Sequence, residues 1–187
     1  MDIKNTIEKY IPYNGQEEKD KQTLIKYIDS FEDILTRNNE FAHFTSSAWV
    51  VNKGKTKVLM IYHNIYNSWT WTGGHADGNS NFLEVAMKEV KEETGIKSLK
   101  PICEDIFAID ILSVWGHIKK GKYLSAHVHL NITYLLEADE HEKLIIKEDE
   151  NSGVKWVPID EVTKYSTEKL MHNVYLKLID KMKLVKK

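Results

Sequence analysis

Cysteine is almost missing from this sequence: Cys103 stands alone, which excludes an internal disulfide. An excess of positive charge is missing too. The formal net charge of -2 gives no overall field to draw in a polyanion, so nucleic acid is not an expected partner. No apolar run approaches the roughly 20 residues of a membrane span, and the opening MDIKNTIEKY has neither the basic start nor the apolar core of a signal peptide. A soluble cytoplasmic protein with no membrane partner is expected. Internal repeats and low-complexity linkers are also absent.

What is present suits one well-packed domain with additions: 187 residues, 42% hydrophobic and 29% charged. Residues 1–40 read as an N-terminal helical extension. After the turn in IPYNG, the stretch Glu17 to Arg37 sets Leu24, Tyr27, Ile28, Phe31, Ile34 and Leu35 at helical spacing. That apolar face can bury against its own domain or against a second subunit in a homodimer. The period then changes: HFTSSAWVV and TKVLMIYHN are short β-prone runs separated by NKGK, a hairpin pattern. Further strand-like runs follow in DIFAIDILSVW, YLSAHVHLNITYLLEA and VKWVP. A closing helix from about Thr167 presents Leu170, Val174, Leu178 and Ile179 on one stripe. Strands interleaved with helices predict an α/β sandwich with a mixed β-sheet and with helices at both termini, residues 41–187 forming the main domain.

The most informative segment is GGHADGNSNFLEVAMKEVKEETGI, Gly73 to Ile96. Asn81 with Glu84 three residues on has capping-box spacing, and Gly95 followed by Ile96 has the form of a left-handed C-cap. Between these ends Leu83, Ala86, Met87 and Val90 predict the buried stripe. Glu89, Glu92 and Glu93 then project to another side, where they repel one another by a few tenths of a kcal/mol per pair. Two of them also oppose the helix dipole. Carboxylates massed on a rigid helix suit a hard divalent cation bound through oxygen, which would relieve that repulsion. The glycine-rich loop ahead of the helix allows tight turns and close approach to a ligand.

This segment resembles the Nudix box, G x5 E x7 REU x EE x GU with U a bulky aliphatic residue. Gly74, Glu89, Val90, Glu92, Glu93, Gly95 and Ile96 match; Lys88 stands where arginine is usual and Ser80 where the first glutamate is usual. The order of surrounding elements extends the resemblance to about Phe41 to Lys164, leaving both terminal helices as additions. The resemblance implies a Nudix-type α/β/α sandwich and hydrolysis of a diphosphate linkage in a nucleoside diphosphate derivative or related small molecule. It implies Mg2+ or Mn2+ as cofactor, with Glu89, Glu92 and Glu93 as metal ligands. In several family members a general base or further ligand comes from a later loop; Glu150, ahead of Trp156, is the matching residue, with Glu148 and Asp149 beside it. Lys88 keeps the charge of the usual arginine but lacks its planar fork. Glu84, four residues earlier on the helix, is a predicted partner for it. The two departures leave room for an alternative, a catalytically weak ligand sensor or binding module on the same fold. RNA decapping, another activity of the family, gains no support from the net charge.

Other polar residues admit two readings. His127, His129, Asn131 and Thr133 share one strand face, which either lines a substrate cleft beside Gly74 or is simply solvated. Spacing places no third nitrogen or sulfur ligand beside the two histidines, so they do not by themselves predict a transition-metal site. His117, Lys119, Lys120 and Lys122 in GHIKKGKY form either a soluble hairpin tip or a set of cations facing the substrate's phosphates. Tyr66, Trp69, Trp71 and Trp115 can stack on a nucleobase or pack in the core.

Overall fold

The computed structural model describes residues 2–119 and 121–185, the side chain of Lys119 excepted. Its central strand, β1 (Ala42–Val51), is buried at every position. Alternation sends Phe44, Ala48 and Val50 into one apolar cluster and Trp49 and Val51 into another, so the strand is covered on both faces. Strand β2 (Lys57–His63) returns antiparallel to β1 through the expected hairpin, where Asn52 Oδ1 accepts from the Thr56 and Lys57 amides at 2.9 and 3.0 Å. β3 (Ser68–Thr70) pairs with β2, and β4 (Thr72–His75) pairs with β1, setting Thr45 opposite His75 and Ser47 opposite Gly73. β5 (Lys100–Pro101) and β6 (Ala108–Val114) both pair antiparallel with β9 (His127–Glu137). β9 itself runs parallel to β1, with His43 opposite His129. β10 (Asn151–Pro158) closes the far edge against β2, and the eight strands form one mixed sheet. β7 (His117–Lys119) and β8 (Lys122–Leu124) make a separate hairpin.

Helices α1 (Ile3–Lys9), α2 (Gly15–Ser30) and α3 (Phe82–Thr94) share one apolar cluster with Phe44, Leu130 and Ile132. The short α4 (Val162–Tyr165) follows β10, and α5 (Lys169–Leu184) covers the opposite cluster through Tyr175, Leu178, Ile179 and Met182. The architecture is the expected α/β/α sandwich. Among the described residues no helix is long and apolar enough to cross a membrane.

The N-terminal helices pack on their own sheet. Ile7 and Leu24 are fully buried, each stabilising by about 1.5–3 kcal/mol. A buried charge cluster adds to this attachment. Glu17 of α2 meets Lys177 and Lys181 of α5 at 3.0 and 3.1 Å and accepts the Tyr10 hydroxyl at 2.5 Å, while Lys177 also reaches Asp110 of β6 at 2.7 Å. Burial pushes the Glu17 carboxyl up, but the Tyr10 hydroxyl and the two lysines outweigh it and hold the group below the ordinary range. Asp110 goes the other way, to about 6, because burial outweighs Lys177 and because Glu17 and Asp20 repel its charge.

Three helical boundaries or faces differ from the spacing-based reading. Helix α2 ends at Ser30 rather than Arg37; Ile34 stays buried, but its carbonyl is drawn to the Phe44 amide at 2.9 Å, which pairs the segment with β1 instead. On α5 the buried stripe runs through Tyr175 and Met182 and leaves Leu170 76% exposed. Tyr175 sets this rotation, since it stacks on Trp49 and hydrogen-bonds Thr70 Oγ1 at 2.9 Å. On α3, Phe82, Val85, Ala86, Val90 and Glu93 are buried, whereas Leu83 and Met87 are only partly so.

Candidate active site

That rotation of α3 carries a carboxylate inward. Its ends are the predicted ones: Asn81 Oδ1 accepts the Glu84 amide at 3.3 Å, and Gly95 caps the other end at φ +76°. Glu93, near the C-terminal end, is only 3% exposed, and Gly73 of β4 donates its N–H to Glu93 Oε2 at 3.1 Å. The next residue, Gly74, packs directly on Glu89: a Cβ there would lie 2.5 Å from Glu89 Cδ. Gly73 is equally confined from the other side, where a Cβ would meet Ser47 Oγ at 2.5 Å and the Ser46 carbonyl at 2.8 Å. Strand β4 therefore needs two glycines to wedge between β1 and the acidic side of α3. Burial, the Glu89 charge and, less strongly, Glu150 push the Glu93 carboxyl well up. Burial and the neighbouring Glu92 and Glu150 charges raise Glu89 as well.

The loop between β9 and β10 supplies the remaining charges. It is fastened to the C-terminal end of α3 by the Ile145 amide on the Thr94 carbonyl at 2.8 Å and by Asn151 Nδ2 on the Glu93 carbonyl at 3.0 Å. This brings Lys147 to 3.6 Å from Glu92 and 3.0 Å from Glu150. Of the last three acids in the loop, Glu148 and Asp149 are exposed, and Glu150 is the one whose charge acts on Glu89 and Glu93. Lys147 was not among the predicted site residues; its i, i+3 spacing to Glu150 was the only local indication. Lys88 lies 3.7 Å from Glu89 and 3.5 Å from Glu92. It does not take Glu84 as its partner, because Glu84 accepts from Asn79 Nδ2 at 3.3 Å instead. The donor set of Glu89, Glu92, Glu93 and Glu150 is oxygen only, and the charges around Glu89 and Glu93 disfavour their ionised forms, so it fits a hard divalent cation such as Mg2+ or Mn2+.

The polar face of β9 divides in two. Asn131 and Thr133 are buried rather than solvated: Asn131 Oδ1 accepts from Thr45 Oγ1 at 2.9 Å and Ser47 Oγ at 2.8 Å, and its amide donates to Thr133 Oγ1 at 3.0 Å. Further along, His127 and His129 meet His43 of β1 and His75 of β4, two partners that local spacing does not reveal. Lys122 is exposed on β8 and makes no ion pair among the described residues; the Lys119 side chain and Lys120 lie outside them. Trp71 packs on Tyr175 in the core, Trp69 lies against Tyr62 and Tyr165 under Lys155, and Tyr66 stacks on His63. Trp115 remains 75% exposed.

Residues 42–180 match the model of the NUDIX domain. The chain belongs to the Nudix family. Its similarity to an RNA pyrophosphohydrolase of Pelagibacter ubique is 29% identity over 138 residues, covering 72% of this chain and 87% of that protein. The rat asymmetrical bis(5'-nucleosyl)-tetraphosphatase is 28% identical over 94 residues, covering 50% of this chain and 57% of that one. A NUDIX-family hydrolase from Clostridium perfringens shares the fold with a TM-score of 0.52 at 19% identity, over 75% of this chain and 97% of that one.

The Nudix match runs through most of α5, so the closing helix lies within the matched region and the narrower span Phe41 to Lys164 stops short. Of the two departures from the Nudix box, Lys88 lies against Glu89 and Glu92. Ser80 is part-buried and its hydroxyl has no hydrogen-bond partner among the described residues, while its neighbour Asn79 orders the start of α3 by accepting the Asn81 amide at 2.8 Å.

Proposed function

We propose that this Nudix protein hydrolyses a diphosphate linkage in a nucleotide-derived substrate. The observation that carries this reading is that Glu93 and Glu89 sit against Gly73 and Gly74, while Lys88 links Glu89 to Glu92 and Lys147 links Glu92 to Glu150. The names of the relatives support the substrate class, since both describe enzymes acting on phosphate chains of nucleotides. Mg2+ or Mn2+ held by Glu89, Glu92 and Glu93 would polarise phosphorus, offset charge on the leaving oxygen and acidify the attacking water.

The chain's own groups have distinct parts. Gly73 N–H orients the Glu93 carboxylate, and Gly74 keeps β4 close enough for Glu89 to sit beside it. Lys88 spans Glu89 and Glu92 and holds their relative positions. Glu150 accepts a proton from water as the water oxygen bonds to phosphorus and the bond from phosphorus to the departing phosphate oxygen breaks. Lys147, beside Glu150, supplies a positive charge for the non-bridging oxygens.

The test is turnover by the purified chain in Mg2+ or Mn2+ against nucleoside triphosphates, dinucleoside polyphosphates, nucleotide sugars, coenzymes and 5'-triphosphorylated RNA. Product formation that falls by orders of magnitude in Glu93→Gln supports the proposal. Ligand binding across the same panel with no phosphate-containing product, in either metal, would overturn it in favour of a sensor.

A further inference from the structure

Four histidines from three strands converge away from the carboxylates. His43 lies on β1, His75 on β4, and His127 and His129 on β9, and one ring nitrogen of each lies within 4.8 Å of the others. Their rings are in contact, with centroids 5.0 Å apart for His43 and His75, 5.0 Å for His75 and His129, and 5.1 Å for His43 and His127. Register explains the meeting. His43 stands opposite His129 in the parallel pair, and His75 stands opposite Thr45, two residues along the same face of β1.

The proton positions follow from the acceptors. A carbonyl only accepts, so His43 Nδ1, 2.9 Å from the Asn39 carbonyl, carries the proton, and so does His127 Nδ1, 2.9 Å from the Ser125 carbonyl. A ring protonated at Nδ1 alone presents an Nε2 lone pair. His127 Nε2 faces His129 Nε2 at 3.2 Å. His43 is 4% exposed, and its Nε2 is buried without a hydrogen-bond partner, which costs about 1–3 kcal/mol if nothing satisfies it. A proton shared by His127 and His129 would satisfy that pair and leave His43 unmet. A cation among the four rings takes the His43 lone pair as well as those of His127 and His129. Zinc–nitrogen bonds of about 2.0–2.1 Å imply nitrogen–nitrogen edges of about 3.3 Å in a tetrahedron, close to the distance between His127 and His129. Backbone carbonyls on the outer nitrogens of His43 and His127 are also the usual means of aiming a ligating imidazole.

We propose that His43, His75, His127 and His129 form a nitrogen-only centre that binds one borderline divalent transition-metal ion of the Zn2+ class, separate from the carboxylate site. The two sites lie on opposite faces of β4, because Gly74 faces Glu89 and the adjoining His75 points to the other side. Imidazole nitrogens select zinc-like ions, whereas carboxylates suit Mg2+ or Mn2+, so the two centres sort metals by ligand type. A bound ion would tie β1, β4 and β9 together beneath the glycines that touch the acidic helix.

The experiment uses the full chain without a histidine tag, stripped by chelator and held in excess Mg2+ to occupy oxygen sites. Calorimetric titration with Zn2+ should give one equivalent, and Co2+ should give the intense visible absorption of a tetrahedral complex. His129→Gln and, at a more accessible position, His127→Gln should each weaken Zn2+ by about a hundredfold or more, since even partners behind a ligand are worth 10–100-fold. His141→Gln, at an exposed position outside the cluster, should not. No Zn2+ uptake in excess Mg2+, or unchanged affinity in both cluster variants with circular dichroism intact, would overturn the proposal.

Discussion

Gly74 and Glu89 touch so closely that the smallest side chain does not fit between them: a Cβ on the glycine would lie 2.5 Å from the carboxyl carbon and 2.8 Å from Oε1. The contact sets the distance between β4 and α3, and with it the place of Glu89. Gly74→Ala should therefore displace the carboxylate or the strand. Because β4 is a short strand at the site rather than a core element, a folded protein with activity reduced by about a hundredfold is expected, comparable to loss of one preorganised electrostatic group. Full activity in a folded Gly74→Ala protein would show that the contact is incidental.

If the proposed function holds, metal should stabilise the fold by mass action, because Mg2+ or Mn2+ would bind the assembled carboxylates and hardly the unfolded chain. At a metal concentration about a hundred times Kd the gain is about 2.7 kcal/mol. Glu92→Gln should remove most of the rise in Tm. Glu92 suits this test because it is the most exposed of the three helix carboxylates, with 42% of its side chain accessible, so the substitution should leave packing unchanged. An unaltered metal response in both Glu92→Gln and Glu93→Gln would refute the ligand assignment.

On the proposed function, Lys147 should affect metal and substrate in opposite directions. It pairs with Glu92 and Glu150 at 3.6 and 3.0 Å, and so would compete with a bound cation. Lys147→Ala should tighten Mg2+ binding while lowering kcat about tenfold or more through loss of a charge beside the phosphates. Titration calorimetry and steady-state rates separate the two effects, and weaker Mg2+ binding in the variant would contradict this account.

Removing Glu17 should be costly although it lies far along the chain from the site. Glu17→Ala leaves Lys181 buried without its counter-charge, while Lys177 keeps Asp110, a loss of about 3 kcal/mol in urea unfolding. The pH dependence has a definite sign. The carboxyl is held below its ordinary value of 4.5, so its stabilisation is present above that pH and is lost as pH falls toward the depressed value. The variant should lack that acid-side decline, and an unchanged decline would assign it to other carboxylates.

Much of this protein is set by spacing over a few residues, and that part was legible in the chain. The ends of α3, the hairpin joining β1 and β2, and the run from Gly74 to Ile96 are local patterns, and the structure realises each of them. The family and the sandwich fold follow from them. Spacing did not decide which flank of α3 turns inward, because Leu83 and Met87 are as apolar as Phe82 and Val85; the wedge of β4 against Glu89 and Glu93 decided it. Nor did spacing show Lys147 above the acidic helix, which depends on a loop fastened to Thr94 and Glu93. His43, His75, His127 and His129 are separate residues along the chain and neighbours only because β1 lies between β4 and β9 in one register. A slip of one residue would turn His129 to the opposite face, so the sheet alone determines whether these rings meet.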